Sequence, residues 1–203
     1  VSLIKDSAAK SVIATHKLRN DITILEGSGG NVAVLAGKDG LVMVDAGISV
    51  SRPQMTQALS ALSSEPVTHL INTHWHFDHA DGNAWIGEGG AKIIAHENTR
   101  KYLSQVQRVE DWDYNFVPLE RSGVPKHVFS KEHSLKLNAQ SLAMKHYGPA
   151  HTDGDISVMF GEADVLHVGD TYWNGIYPFI DYSTGGSIDG MIAPAKRSPT
   201  DTG

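Results

Sequence analysis

Apolar residues between positions 22 and 45 come in short runs that turn residues interrupt. The runs are rich in β-branched and aliphatic side chains, which favour strands over helices. Glycine-rich and Lys-Asp-Gly segments between the runs are typical of tight turns that join neighbouring strands. The sequence therefore predicts consecutive antiparallel strands at Ile22–Leu25, Asn31–Gly37 and Leu41–Asp45.

The spacing of apolar residues changes after residue 50 from that of strands to that of a helix. Met55, Ala58, Leu59 and Leu62 lie at i, i+3, i+4 and i+7, and Pro53 stands just before them. Such a stripe is typical of a surface helix with one buried face. Strand and helix patterns then alternate, which indicates a layered α/β domain. The elements predicted there are strands at Val67–Asn72 and Lys92–Ala95 and helices at Asn83–Ile86 and Glu97–Leu103.

Residues 105–130 show no sustained period and contain several aromatic residues and prolines. We interpret this segment as a long ordered loop that either walls a pocket or packs its aromatic side chains into the core. Further strands are predicted beyond it, at Ser134–Leu137, Ser141–His146, Ile156–Phe160 and Val165–Gly169. Because the apolar pattern ends at residue 193, we expect one domain over residues 1–192 and an irregular tail over residues 193–203.

The composition narrows the classes of function. The chain has 203 residues, 40% of them hydrophobic and 20% charged, as in ordinary globular domains. It has no cysteine, which excludes disulfides, thiolate metal sites and a cysteine nucleophile. A formal charge of −6 argues against a nucleic-acid partner, and no apolar run reaches the roughly 20 residues that span a bilayer. We expect a soluble protein without nucleic-acid or membrane partners, in the cytoplasm, in the periplasm or outside the cell.

A cluster of three histidines and one aspartate directly follows a predicted strand. His74, His76, Asp78 and His79 offer imidazole and carboxylate ligands of the kind that zinc prefers. In extended backbone the first three would point one way and His79 the other. A catalytic zinc takes three protein ligands, so four candidates in one loop suggest two metal ions. The alternative is a histidine-rich turn that is merely solvated.

Two further residues are candidates for the same chemistry. His151 precedes a predicted strand and Asp170 ends one. Neither is specific on its own, because the histidine could be structural and the aspartate could cap a turn or a helix. A carboxylate at the end of a buried strand commonly faces a cleft, where a metal ion would offset the cost of burying its charge.

Taken together, four segments resemble the metallo-β-lactamase superfamily. The family signature His-X-His-X-Asp-His corresponds to His74–His79, and the supporting segments are Val44–Gly47, Gly148–Thr152 and Gly169–Thr171. Their order and spacing match the family pattern from about Ile22 to Ile192. The resemblance implies a four-layer αββα sandwich of the α/β class.

The resemblance also implies a role for each candidate residue. Asp170 would bridge two metal ions, as in glyoxalase-II-like hydrolases, and Asp45 would hold the histidine loop by hydrogen bonds. The implied ligands of the first metal are His74, His76 and His151, and those of the second are Asp78 and His79.

The activity that the resemblance implies is hydrolysis by a metal-activated hydroxide. Two divalent cations lower the pKa of a bridging water toward about 7, and Asp78 would orient the resulting nucleophile. The substrate would be an ester, lactone, lactam or thioester, and the cofactor two zinc ions, with iron or manganese as alternatives. Aromatic residues would wall the mouth and favour a small molecule with apolar surface: Trp75, Phe77, Trp112, Tyr114, Phe116, Trp173 and Tyr177.

One departure from the family pattern concerns the end of the chain. The family adds a histidine on a late loop, a last strand and a closing helix, whereas no histidine follows Asp170 here. We therefore expect the C-terminal strand and helix to be missing, the second metal to be held weakly, and the chain to form homo-oligomers or to be less stable. Two other functions stay open: a metal-binding fragment with weak or no activity, and an iron-dependent oxidoreductase.

Overall fold

A computed structural model describes residues 1–27 and 29–197 of the chain, with side chains up to residue 192. Over these residues, no helix combines the length and the apolar character that crossing a bilayer requires. The helices are α1 (Ser2–Ala8), α2 (Arg52–Leu62), α3 (Phe77–Ala80), α4 (Asn83–Glu88), α5 (Glu97–Leu103) and α6 (Ile188–Arg197). The strands are β1 (Ala14–Lys17), β2 (Ile22–Glu26), β3 (Val32–Leu35), β4 (Leu41–Val44), β5 (Val67–Ile71), β6 (Lys92–His96), β7 (Gln107–Val109), β8 (Tyr114–Phe116), β9 (His127–Phe129), β10 (Glu132–Leu137), β11 (Gln140–Lys145), β12 (Ser157–Phe160) and β13 (Val165–His167).

The larger sheet has the order β1-β2-β3-β4-β5-β6-β9. Its first four strands are antiparallel neighbours, because short turns join them. Strands β2, β3 and β4 were predicted from the sequence, whereas β1 was not. From β4 onward the pairing is parallel, which requires crossover connections such as α2 between β4 and β5. The carboxyl ends of β4 and β5 therefore lie side by side, and the loops that follow them carry Asp45 and His74.

The smaller sheet has the antiparallel order β10-β11-β12-β13 and packs face to face on the larger one. Along β11, buried Leu142 and Met144 alternate with exposed Ser141 and Ala143, so one face of this sheet points inward. Apolar side chains from both sheets fill the space between them: Ile22, Ala33, Leu35, Val42, Val44, Ile71, Leu142, Met144, Val158 and Phe160.

Helices cover the outer face of the larger sheet. The predicted stripe of α2 is buried at Met55, Ala58 and Leu59, which pack on side chains of β3, β4 and β5. Pro53 lies in the first turn, where its missing N–H costs no hydrogen bond. Helix α5 has the predicted bounds.

Two of the differences from the predictions made from sequence concern the long loop and the C-terminal end. Residues 105–130 are not simply a loop, since they contain the hairpin of β7 and β8 and the strand β9, which pairs with β6. Strands of three residues are too short to show a period, and β9 forms only through pairing with a distant strand.

The second difference lies near the C-terminal end. An irregular tail was predicted from residue 193, but α6 is helical through Arg197, so that prediction is wrong for residues 193–197. Ser187 supplies the start signal, because its hydroxyl accepts a hydrogen bond from Gly190 N at 3.0 Å. Residues 198–203 lie outside the described residues, and the domain boundary at residue 192 stays a prediction.

We expect Phe160→Ala to lower the free energy of unfolding by about 3–5 kcal/mol, because Phe160 is fully buried between the sheets. Urea unfolding followed by circular dichroism measures this change. Tyr177→Ala is the control, since Tyr177 is 97% exposed, and it should change the free energy by less than about 0.5 kcal/mol. Equal losses in the two variants would contradict the placement of Phe160 in the core.

Candidate metal centre

Three histidines on loops of the two sheets lie close together. His74 and His76 lie on the loop after β5, and His151 lies on the loop between β11 and β12. Each of them offers a ring nitrogen, and these nitrogens all lie within 4.8 Å of one another. His76 Nδ1 is 2.8 Å from His151 Nε2. All three rings are buried, so each is surrounded by the other two and by nearby protein groups.

The protein fixes which nitrogen of His76 and of His151 faces this point. A carboxylate only accepts hydrogen bonds, so His76 Nε2 donates to Asp181 Oδ2 at 3.0 Å. His151 Nδ1 donates to the carbonyl oxygen of Phe179 at 2.6 Å. A neutral imidazole has one N–H, so the lone pairs lie on His76 Nδ1 and His151 Nε2. These are the two nitrogens that face each other.

The orientation of His74 follows from its neighbour Thr73. The Thr73 hydroxyl donates its only proton to Asp45 Oδ2 at 2.7 Å, so it accepts from His74 Nδ1 at 3.1 Å. His74 Nε2 then carries the lone pair, and no hydrogen-bond partner for this buried atom lies in the part of the chain that the structure describes. The rings of His74, His76 and His151 thus supply three lone pairs directed at one small volume.

A second group adjoins the first and contains carboxylates. His79 Nε2 lies 3.1 Å from Asp170 Oδ1 and 3.7 Å from Asp78 Oδ2. The other oxygen of Asp170 lies 3.6 Å from His151 Nε2. Asp170 therefore faces both groups, and all six residues predicted from the sequence come together in one site.

The direction of His79 differs from the prediction for extended backbone. The chain enters α3 at Phe77, and its first turn brings the ring of His79 to 4.2 Å from the ring of His74. His79 accordingly joins the cluster, together with His74 and Asp170, instead of pointing away from it.

Asp45 ties this loop to the end of β4. Its buried carboxylate accepts hydrogen bonds from Thr73 N and Thr73 Oγ1, both at 2.7 Å, and from His79 Nδ1 at 2.8 Å. Its φ of 65° is in the left-handed region, which aspartate tolerates better than most residues. Asp45 thus makes the hydrogen bonds to the histidine loop that the resemblance implied.

Burial and mutual repulsion keep two of the imidazoles neutral. Burial, followed by the neighbouring histidines, lowers the pKa of His74 well below its ordinary value. Burial and His76 likewise lower the pKa of His151 to about 4. Neutral imidazole is the form that binds metal ions, so these residues are ready to act as ligands near neutral pH.

Carboxylates dominate the electrostatics of the second group. Burial alone would lower the pKa of His79, but Asp170, Asp78 and Asp45 outweigh it and hold that pKa well above its ordinary value. Burial would raise the pKa of Asp170, but His79 holds it well below the usual range. This half of the site therefore favours positive charge.

These groups fit a divalent cation. The lone pairs of His76 Nδ1 and His151 Nε2 face each other at 2.8 Å, where they repel unless a proton or a cation neutralises them. The buried His74 Nε2 has no hydrogen-bond partner among the described residues, and nitrogen with carboxylate oxygen is a donor set that suits zinc and similar ions.

The sequence analysis missed several residues that support the site. Asp181 and the carbonyl of Phe179 reach the site from the segment before α6. Asp155 accepts hydrogen bonds from Thr152 N at 2.8 Å and from Thr152 Oγ1 at 2.7 Å, and burial raises its pKa to about 7. The Thr-X-X-Asp spacing could have indicated this local turn, whereas nothing local indicates Asp181.

A groove of about 880 Å³ opens onto Asp78, His79 and Asp170. Apolar side chains form part of its lining, and the described residues that line it include neither lysine nor arginine. The apolar and aromatic side chains that line it include Ile4, Leu18, Ile24, Tyr172, Trp173 and Ile176.

Most of the aromatic residues expected at the mouth pack against one another instead. Trp75 is 2% and Phe77 is 6% exposed, and Trp173 alone among the expected residues lines the groove. Tyr177 is fully exposed to solvent. The packed cluster comprises Trp75, Phe77, Trp112, Tyr114 and Phe116.

Comparison with known families agrees with this arrangement. The model of the metallo-beta-lactamase superfamily matches residues 25–201. This chain belongs to the metallo-β-lactamase superfamily. The α/β sandwich of this family that the sequence predicted is thereby confirmed.

Curated relatives match parts of the chain. A hydroxyacylglutathione hydrolase of Rhodospirillum rubrum is 28% identical over 109 residues, which are 53% of this chain and 35% of that protein. A hydroxyacylglutathione hydrolase of Erythrobacter litoralis is 54% identical over 44 residues, which are 21% of this chain and 17% of that protein. The chain thus spans about a third or less of the length of either relative.

Solved structures match nearly the whole chain. A subclass B3 metallo-beta-lactamase of Bradyrhizobium japonicum has a TM-score of 0.75 at 20% identity, over 98% of this chain and 77% of that one. A metallo-beta-lactamase from Pontibacter korlensis has a TM-score of 0.72 at 17% identity, over 92% of this chain and 84% of that one. At such identities the likeness shows a shared fold alone.

Replacing Asp45 by alanine should lower the free energy of unfolding of the metal-free protein by about 3–5 kcal/mol. The change removes the shared acceptor of three buried donors on Thr73 and His79. Chemical denaturation in the presence of a chelator measures the loss. Asp164→Ala is the matched control, because Asp164 also has a positive φ, of 50°, but is exposed. If Asp164→Ala lowered the free energy of unfolding as much as Asp45→Ala, the effect would come from the backbone conformation and the role of the hydrogen bonds would be refuted.

Proposed function

We propose that this chain is a metal-dependent hydrolase that acts on an ester, lactone, lactam or thioester. The observation that carries the proposal is the convergence of three buried ring nitrogens, of His74, His76 and His151, beside Asp170 at a groove. Named relatives support it, since they are described as hydroxyacylglutathione hydrolases and metallo-beta-lactamases, which are hydrolytic enzymes.

Two zinc ions suit the two groups of side chains. The proposed ligands of the first are His74, His76 and His151, and those of the second are Asp78 and His79, with Asp170 shared between them. The carboxylates and imidazoles match the oxygen and nitrogen ligands of zinc, although iron and manganese accept the same donors. A structurally similar protein is described as a class B3 di-zinc metallo-beta-lactamase, which supports zinc over the alternatives.

When bound, such ions lower the pKa of a water molecule toward about 7 and polarise a carbonyl oxygen. The side chains supply orientation and proton transfer. Asp78 is suited to orient the attacking water and to accept its proton, because its side chain is 26% exposed and lines the groove. His79, which lies next to it, is held in place by Asp45.

The groove favours a small-molecule substrate that has an apolar surface and does not need to be bound through a carboxylate group of its own. Its described walls combine aliphatic and aromatic side chains with the carboxylates of Glu26, Asp78 and Asp170, and they offer no lysine or arginine to an anionic group. An uncharged acyl group is therefore a better match to these walls than a carboxylate-bearing one.

His76→Ala should abolish stoichiometric metal binding at the first group, because it removes one of three ligands from a buried site. Elemental analysis of the purified protein measures the content and also identifies the metal. His133→Ala is the control, since His133 is exposed and lies outside the cluster. Full metal content in His76→Ala would show that the ligand assignment is wrong, and iron in place of zinc would favour the oxidoreductase alternative.

Asp78→Asn should lower kcat by at least about 100-fold while the first group keeps most of its metal. This is the scale expected when a group that positions the nucleophile or accepts its proton is lost. Hydrolysis of chromogenic ester, lactone, lactam and thioester substrates measures the rate, with metal content determined in parallel. Asp6→Asn is the control, because it makes the same substitution at an exposed position. Unchanged turnover in Asp78→Asn would remove Asp78 from the mechanism.

A further inference from the structure

The segment before α6 is joined closely to the loop that carries His151. Asp181 N donates to the carbonyl oxygen of His151 at 2.9 Å, and Ser187 N donates to that of Ala150 at 2.8 Å. A Cβ atom on Gly186 would lie 2.3 Å from His151 O, so this close approach requires glycine. The segment is therefore held against the metal-binding loop along much of its length.

The carboxylate of Asp181 is buried, and among the described residues two of its hydrogen bonds are local and one is long-range. It accepts from Ser183 N at 3.0 Å and from Thr184 Oγ1 at 2.6 Å, which fix its position. The remaining bond comes from His76 Nε2 at 3.0 Å, across 105 residues of sequence. The short-range bonds thus aim the carboxylate at one histidine of the cluster.

This contact decides which nitrogen of His76 can bind a metal. A ring whose Nε2–H is held by a carboxylate presents the lone pair of Nδ1. His151 has the opposite arrangement, because its Nδ1–H is held by the Phe179 carbonyl, two residues before Asp181. One short segment therefore orients two rings in opposite senses, so that both lone pairs face the same point.

We propose that Asp181 is a positioning residue that holds His76 in the form that binds metal through Nδ1. The inference rests on the proposed metal site but concerns a residue outside the ligand set. Buried partners of this kind set the orientation and basicity of a ligand, and their loss weakens metal affinity by about 10- to 100-fold.

The first test compares zinc affinity in two variants by competition with a chromophoric chelator. Asp181→Asn should bind zinc about 10- to 100-fold more weakly than the wild type. Asp189→Asn, the same change on the exposed surface of α6, should bind zinc with the wild-type affinity. Equal affinities in Asp181→Asn and the wild type would overturn the inference.

A third variant separates positioning from a merely structural role. Leu59→Ala removes a buried side chain of α2 on the outer face of the larger sheet, and it leaves Asp181 and its hydrogen bonds intact. We expect it to lower the stability of the metal-free protein at least as much as Asp181→Asn while zinc affinity falls less than about threefold. If both variants lost affinity in proportion to stability, the role of Asp181 would be structural and the inference wrong.

A spectroscopic signature does not depend on any variant. Long-range ¹H–¹⁵N spectra of the zinc-loaded wild type should show the ring proton of His76 on Nε2 and that of His151 on Nδ1. A proton on Nδ1 of His76 would overturn the inference, even if Asp181→Asn failed to fold. A wild-type chain that bound no zinc would contradict the proposed function as well, whereas the other outcomes concern Asp181 alone.

Discussion

Asp45 places a buried carboxylate at the end of β4, and hydrogen bonds from Thr73 and His79 end on it. An ionised group in the interior is tolerated only when donors satisfy it, so its position and that of its partners depend on each other. Through Thr73 this carboxylate also sets the direction of His74. Two of the rings in the site therefore take their orientation from a single buried charge.

Two of the ligand candidates, His151 and Asp170, belong to the other sheet. His151 precedes β12 and Asp170 follows β13, so they reach the histidine loop only because the two sheets pack face to face. The core between the sheets consequently sets the distances within the site. Stability of the sandwich and geometry of the site are coupled, since a shift of one sheet would separate His151 from His76.

Each of the four rings donates one N–H to a protein acceptor and directs its other nitrogen into the cluster. The acceptors are of different kinds: the Thr73 hydroxyl, the Phe179 carbonyl, and the carboxylates of Asp45 and Asp181. The groups that hold the rings therefore come from several parts of the chain. This explains how two neighbouring histidines of one loop, His74 and His76, present different nitrogens to the same volume.

The sequence by itself determined the elements and residues that depend on local signals. Helices α2 and α5 follow from spacing and flanking residues, and the candidate ligands follow from motifs whose members lie within a few positions of one another. Only the tertiary structure decided the direction of His79, the strand β9 and the contact between Asp181 and His76, which are 105 residues apart. Such contacts depend on how distant segments pack, and packing across the sandwich leaves no spacing pattern in the sequence that could reveal them.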